Sequence, residues 1–250
     1  MLRLGARYFE FRPARLVPGF LEASGGKVRD TFYFQHGCIH GMAFDRFLKE
    51  VVWFLGEEEG VAEIVVVHVR FDDVVAQCER LTRGELVGML DQACREARVP
   101  LQWGEKQCFK KSIDALRAEG TRLIVLMEEE KYDSYDARAY ATLTPDPILR
   151  RFEGMTTEGQ SSTDLTVLQC QATSQRIPEV MVHSILSANA ANSCLTSTKA
   201  SNDIVLLPWI QENALERLRA ERLVVVMNDF IDGATADLCI ELSRRRLQVG

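Results

Sequence analysis

Three short segments hold the residues whose types and spacing could do chemistry. In the segment RYFEFR, Glu10 and Arg12 alternate with aromatic residues, so they point to one side of a strand. His36 ends a second aromatic run and is followed by glycine, and His68 and Arg70 alternate at the end of a β-branched run. Arginine offers a fixed fork of donors to phosphate oxygens and histidine titrates near neutral pH, so this set suits a phosphate diester.

Each of these residues also has a structural interpretation. Glu10 and Arg12 can form a lining ion pair, and Arg70 can either bind phosphate or neutralise Glu10. The position of His68 in an apolar run is more typical of an interior residue of the barrel than of a catalytic residue. Asp229, which follows a fourth apolar run, is either a carboxylate that orients an imidazole or a cap on the next helix.

Short apolar runs alternate with amphipathic stretches along the chain, a pattern typical of βα units around a parallel sheet. Strands are predicted at 8–11, 31–35, 64–69, 123–127, 165–171 and 223–227. Helices are predicted at 44–55, 86–97, 109–118, 147–152, 180–188, 209–218 and 234–246. The absence of a Gly-rich nucleotide motif favours an α/β (β/α)8 barrel, in one domain spanning 1–250, over an open doubly wound sheet.

The composition and the net charge disfavour several classes of function. The 250 residues are 46% hydrophobic and 26% charged with a net charge of −6, which disfavours nucleic-acid binding. No apolar run reaches membrane-spanning length, and no signal peptide is visible. The seven cysteines are scattered without a CxxC pair, so we expect free thiols in a reducing compartment rather than a zinc site or disulfides. The expected location is the cytoplasm or the periphery of a membrane, and a targeting signal ahead of Met1 stays open.

Read together, these segments resemble a known family. GARYFEFRPAR (5–15), FYFQHG (32–37) and FLKEVVWFLGEEEGVAEIVVVHVRF (47–71) are similar to the X domain of phosphatidylinositol-specific phospholipases C, in the metal-independent bacterial-type branch and its fungal relatives. RLVVVMNDFIDGATADLCIELSRRRL (222–247) resembles the last βα unit of that family. The resemblance implies a TIM barrel and a phosphoric diester hydrolase or lyase that acts on a phospholipid or inositol phosphate at a membrane surface.

The resemblance also implies a role for each site residue. His36 matches the second catalytic histidine, which protonates the leaving diacylglycerol oxygen. Arg12 matches the phosphate-clamping arginine, with Glu10 as its acidic partner, and Asp229 matches the aspartate that orients the first histidine. Arg70 stands at a lysine position of the bacterial branch. Because Arg12 and Arg70 stand where the calcium-dependent branch has calcium ligands, no metal and no other cofactor is expected.

One motif of the family has no counterpart here. The first catalytic histidine should lie on a strand that would precede Met1, so we expect the barrel to lack its first strand and the chain alone to be poorly soluble or inactive. Two other interpretations stay open. The chain can be a catalytically inactive barrel with a binding or regulatory role, or a glycerophosphodiester-type phosphodiesterase, which Arg12 disfavours.

Overall fold

The computed structural model describes residues 1–36, 39–71, 74–127, 132–133, 142–155, 165–172, 182, 185–186, 194–218 and 223–249. The chain divides into two compact units. One comprises Ala6–Glu129 with Leu2, and the other comprises Glu130–Gly250 with Met1 and Arg3–Gly5. One domain spanning 1–250 stays a prediction.

The first unit is built on a four-stranded parallel sheet in the order β1-β5-β7-β6. Its strands are β1 (Tyr8–Phe11), β5 (Val65–Val69), β6 (Gln102–Gly104) and β7 (Thr121–Leu126). Every residue of β5 and β7 is buried, as expected for parallel strands covered on both faces. The predicted α/β class with parallel strands is confirmed, whereas closure into a barrel stays a prediction.

A second sheet in this unit is antiparallel, in the order β2-β3-β4. Its strands are β2 (Pro13–Arg15), β3 (Phe32–His36) and β4 (Ile39–Ala43), and the short helix α1 (Pro18–Ala23) precedes β3. The run predicted at 31–35 is therefore a strand, but it belongs to an antiparallel hairpin and not to the parallel sheet. The run is too short and too aromatic to show whether one face or both faces of the strand are buried, which is the pattern that separates antiparallel from parallel strands.

Three helices complete the first unit: α2 (Phe44–Gly56), α3 (Arg83–Arg95) and α4 (Ile113–Glu119). The apolar face of α2, including Phe44, Phe47 and Leu48, packs against the sheet in one hydrophobic core. Helix α3 begins at a capping box, in which Thr82 accepts from the Glu85 N–H and the Glu85 carboxylate accepts from the Thr82 N–H. A 3₁₀ helix at Leu2–Leu4 and another at Lys106–Lys110 add single turns.

The second unit contains a three-stranded parallel sheet in the order β10-β9-β8. Its strands are β8 (Tyr132–Asp133), β9 (Leu165–Gln169) and β10 (Leu223–Met227), and its helices are α5 (Asp146–Glu153), α6 (Cys194–Arg217) and α7 (Gly233–Val249). The core combines α5, α6 and α7 with one face of β9, including Phe152, Leu168, Ile210 and Leu238. Most of the predicted helix at 180–188 lies outside the described residues.

None of the described helices combines the length and the apolar composition needed to cross a bilayer. The cysteine side chains that the structure describes are all free thiols: Cys78, Cys94, Cys108, Cys170 and Cys239.

Arg122 holds the end of α2 to strand β7. The residue is 5% exposed, and its Nη1 donates to the carbonyl oxygens of Leu55, Gly60 and Val61 at 2.7, 3.2 and 2.7 Å. Burial lowers the pKa of Arg122. The turn beneath it requires glycine, since a Cβ on Gly60 would lie 1.9 Å from the Phe54 carbonyl oxygen.

Arg122→Met is expected to lower the free energy of unfolding by about 2 kcal/mol, because it removes the buried donor to the carbonyl oxygens of Leu55 and Val61. Urea unfolding followed by tryptophan fluorescence measures this change. Arg117→Met is the matched control, since Arg117 donates to the neighbouring Ala62 carbonyl at 2.6 Å from an exposed position. Equal losses in the two variants would show that the burial of Arg122 is unimportant.

Candidate functional site

The alternation of side chains along β1 determines which residues of this strand lie on the same face as the candidate site. Phe9 and Phe11 point to the helical side of the sheet, where their rings lie 5.4 and 4.8 Å from the ring of Phe47. Tyr8 and Glu10 therefore lie on the opposite face of the sheet. In the parallel pairing of β1 with β5, Glu10 is opposite His68.

Glu10 bridges two arginines at the carboxyl ends of these strands. Its Oε1 accepts from Arg12 Nη2 at 2.6 Å and Nε at 3.1 Å, and its Oε2 accepts from Arg70 Nη1 at 3.1 Å. The side chains of Glu10, Arg12 and Arg70 are 15%, 16% and 14% exposed. A carboxylate with both oxygens paired orients each guanidinium, and partial burial shields these ion pairs from solvent.

Backbone hydrogen bonds fix the positions of both arginines. The Arg70 N–H donates to the Phe11 carbonyl oxygen at 2.9 Å and extends the β1–β5 ladder beyond β5. The Arg12 carbonyl oxygen accepts from the Gln35 N–H of β3, also at 2.9 Å. The residue that precedes His36 is thus bonded directly to the backbone of Arg12.

The half-buried Tyr8 and the buried His68 form a pair on the same face of the sheet as Glu10. Tyr8 Oη and His68 Nδ1 are 2.7 Å apart, and His68 is 1% exposed. Burial, and secondarily the Glu10 carboxylate, raise the pKa of Tyr8 far above its ordinary value, although Arg70 acts in the opposite direction. The Tyr8 hydroxyl therefore stays protonated at neutral pH. The sequence singled out His68 but not Tyr8, because pairing them requires the register of β1 against β5.

His36 is the last residue of β3, is exposed, and pairs with Ile39 across the hairpin. It shares a strand side with Phe34, whose ring lies 5.5 Å from that of Phe11. The second histidine of the hairpin, His40, makes edge contacts with Phe20 and Tyr33 at ring distances of 5.0 and 6.1 Å. The structure thus gives His40 an aromatic packing role.

Asp229 belongs to the second unit, just beyond the end of β10. Its Oδ1 accepts from Gln171 Nε2 at 2.5 Å, and its N–H donates to Asn228 Oδ1 at 3.0 Å. The cap at the start of α7 is Asp232, whose Oδ1 accepts from the Thr235 N–H at 2.9 Å. Of the five site residues predicted from sequence, Glu10, Arg12 and Arg70 are in direct contact. The described contacts of His36 lie within the β3–β4 hairpin, and those of Asp229 lie within the second unit.

Within the described ranges, no three His, Cys, Asp or Glu side chains are grouped so that they could hold a metal ion. The sequence matches no protein-family model, and no curated protein matches it.

Proposed function

We propose that this chain is a phosphodiesterase of the phosphatidylinositol phospholipase C type, acting on the phosphodiester of a phospholipid head group by histidine acid–base catalysis. One observation carries the proposal. Glu10 orients Arg12 and Arg70 together at the carboxyl ends of two adjacent parallel strands. In α/β folds this end of the sheet is where substrates bind.

Two oriented guanidiniums suit the charge that develops during attack on a phosphate diester. Arginine presents its donors in a planar fork that matches phosphate oxygens, and preorganised donors stabilise growing negative charge without reorganising during the reaction. In the proposed reaction the 2-hydroxyl of the inositol head group attacks phosphorus and gives its proton to a base, which in the family that the sequence resembles is the first histidine. The bond from phosphorus to the diacylglycerol oxygen breaks, and His36 protonates that oxygen. The products are a cyclic inositol phosphate and diacylglycerol.

His36 is the proposed general acid, which protonates the leaving oxygen. Its support is the resemblance of the segment 32–37, together with the hydrogen bond that joins the preceding residue, Gln35, to the Arg12 backbone. A histidine is suited to this role because its ordinary pKa lies close to neutral pH.

The proposal predicts a metal-independent activity. Any cleavage of phosphatidylinositol in mixed vesicles by the protein is expected to persist in excess EGTA, because Arg12 and Arg70 stand where the calcium-dependent branch has carboxylate ligands. Release of cyclic inositol phosphate, followed by ³¹P NMR, measures it. Activity that disappears in EGTA and returns with Ca²⁺ would contradict the assignment.

The same assay addresses the non-catalytic alternative. Binding of an inositol phosphate without turnover would indicate a binding barrel rather than an enzyme. Release of glycerol phosphate from a glycerophosphodiester, with no cleavage of phosphatidylinositol, would indicate the third interpretation.

A further inference from the structure

A polar chain of side chains surrounds the carboxyl ends of β9 and β10 in the second unit. The two strands are parallel, with Met227 opposite Gln169, and the Cys170 N–H donates to the Met227 carbonyl oxygen at 2.8 Å. Gln171 and Asp229 follow as the next opposed pair on that side. Their side chains meet at 2.5 Å, so Gln171 fixes one oxygen of the Asp229 carboxylate.

Asn228 is bonded at both ends of its amide group. Its Oδ1 accepts from the Asp229 N–H at 3.0 Å, and its Nδ2 donates to Asp203 Oδ1 on helix α6 at 2.9 Å. A backbone N–H needs an acceptor and a carboxylate needs a donor, so these two neighbours define the orientation of the amide. An aspartate of the same shape at position 228 would face Asp203 with a second negative charge.

Asp203 is itself held by Lys199, one turn earlier on α6. Lys199 Nζ donates to the second oxygen of Asp203 and, at 2.7 Å, to Asp232 Oδ2. The side chains of Lys199 and Asp203 are only 10% and 13% exposed. Burial alone would lower the pKa of Lys199, but its bonds to the two carboxylates raise the pKa above the ordinary value. Lys199 therefore stays charged and keeps Asp203 in place.

We infer that Asn228 is a positioning residue, through which Lys199 and Asp203 fix the direction of the Asp229 carboxylate. Its catalytic consequence rests on the proposed function and on the role that the family resemblance implies for Asp229, which is to orient an imidazole. Gln171 holds one oxygen of the carboxylate, and Asn228 holds the backbone N–H of the residue that carries it, so the side chain projects from a fixed backbone toward a fixed donor. Displacing a reacting group by about 1 Å can cost about 10² in rate, so positioning of this kind is measurable.

The test replaces Asn228 by Asp, which keeps the shape and reverses the interaction with Asp203. In the full-length protein, Asn228→Asp is expected to lower kcat for phosphatidylinositol about 10²-fold and to change KM less than about twofold. The double variant Asn228→Asp/Asp203→Asn restores an amide opposite a carboxylate and should recover most of the lost rate. Asn213→Asp is the matched control, because Asn213 lies on α6, as Asp203 does, and its side chain donates to the Trp209 carbonyl oxygen at 2.9 Å.

A second measurement does not require activity. The side-chain amide resonance of Gln171, assigned by its loss in Gln171→Leu, reports the bond to Asp229. Asn228→Asp should move that resonance toward its position in Asp229→Ala, and Asn213→Asp should leave it unchanged. Should Asn228→Asp fail to fold, Asn228→Ser, which is neutral but too short to reach both partners, takes its place in both measurements.

The outcomes separate this inference from the proposed function. A wild-type protein without turnover contradicts the proposed function, while the Gln171 resonance still decides whether Asn228 positions Asp229. A Gln171 resonance that does not respond to the position-228 variant overturns the inference. So does a double variant that stays as slow as Asn228→Asp, because an amide paired with a carboxylate between positions 203 and 228 then makes no difference to the rate.

Discussion

His36→Ala is expected to lower the rate of phosphatidylinositol cleavage by about 10²–10⁴, the usual contribution of a general acid. The loss should be much smaller for a nitrophenyl phosphodiester, whose leaving group departs without needing a proton. The ratio of the two losses, measured as kcat/KM in the same full-length protein, isolates proton transfer from any general effect on the fold.

His40→Ala is the matched control, because His40 lies on the same hairpin and packs only against aromatic rings among its described contacts. We expect it to leave the ratio of the two substrates unchanged. A His36→Ala variant that loses equally on both substrates would give His36 a structural role in the hairpin.

Arg12→Lys should lower kcat/KM by about 10²–10³, which is the cost of removing one preorganised donor from a developing oxyanion. Lysine keeps the charge, but it cannot reproduce the planar guanidinium, which approaches one Glu10 oxygen with both Nε and Nη2. The comparison of this variant with the wild type therefore tests whether the arrangement of the donors contributes to the rate beyond the positive charge. Steady-state kinetics on phosphatidylinositol vesicles measure the change.

Arg15→Lys provides the comparison, since Arg15 lies three residues further along the chain and pairs with Asp30 and Glu85 near the surface. It should retain nearly all of the activity. If Arg12→Lys also retains nearly all of it, Arg12 is only a structural partner of Glu10 and the proposed phosphate clamp is wrong.

Much of the secondary structure was predictable where one physical signal dominated. The helix expected at 44–55 is α2, and the strand expected at 64–69 is β5, because each has a long and regular apolar pattern. The strands β2, β6 and β8 are too short to give such a signal and were missed. The strand β4 was missed as well, because its residues are mostly exposed and carry no apolar pattern. The helix predicted at 109–118 is two elements, because Ser112 caps a new helix by accepting from the Ala115 N–H.

In the second unit, a proline led to a wrong prediction of where one helix begins. The pattern placed the start of a helix at Trp209, whereas α6 runs from Cys194 through Pro208 to Arg217. A proline inside a helix removes one hydrogen bond, so it usually marks a boundary. Here the buried apolar side chains on both sides of it, Leu206 and Ile210, pack into the same core.

The sequence predicted those parts of the site that depend only on the alternation of side chains along a strand. Glu10 and Arg12 share a face because they are two residues apart. Arg70, for which the sequence predicted either phosphate binding or neutralisation of Glu10, pairs with Glu10 in the structure. The partners of His68 and Asp229, by contrast, come from distant positions in the chain. Those pairings depend on strand register and helix packing, which a single sequence does not display.

Asp232 joins two helices with one side chain, since it caps α7 and also binds Lys199 of α6. The hydrogen bond from Lys199, supported by those from Thr235, lowers the pKa of Asp232 to about 2. A carboxyl with a depressed pKa stabilises the fold above its unfolded pKa near 4, and loses that effect only as the pH falls toward 2. The bonds by which Asp232 connects these helices are therefore expected to persist at the pH of acidified cellular compartments.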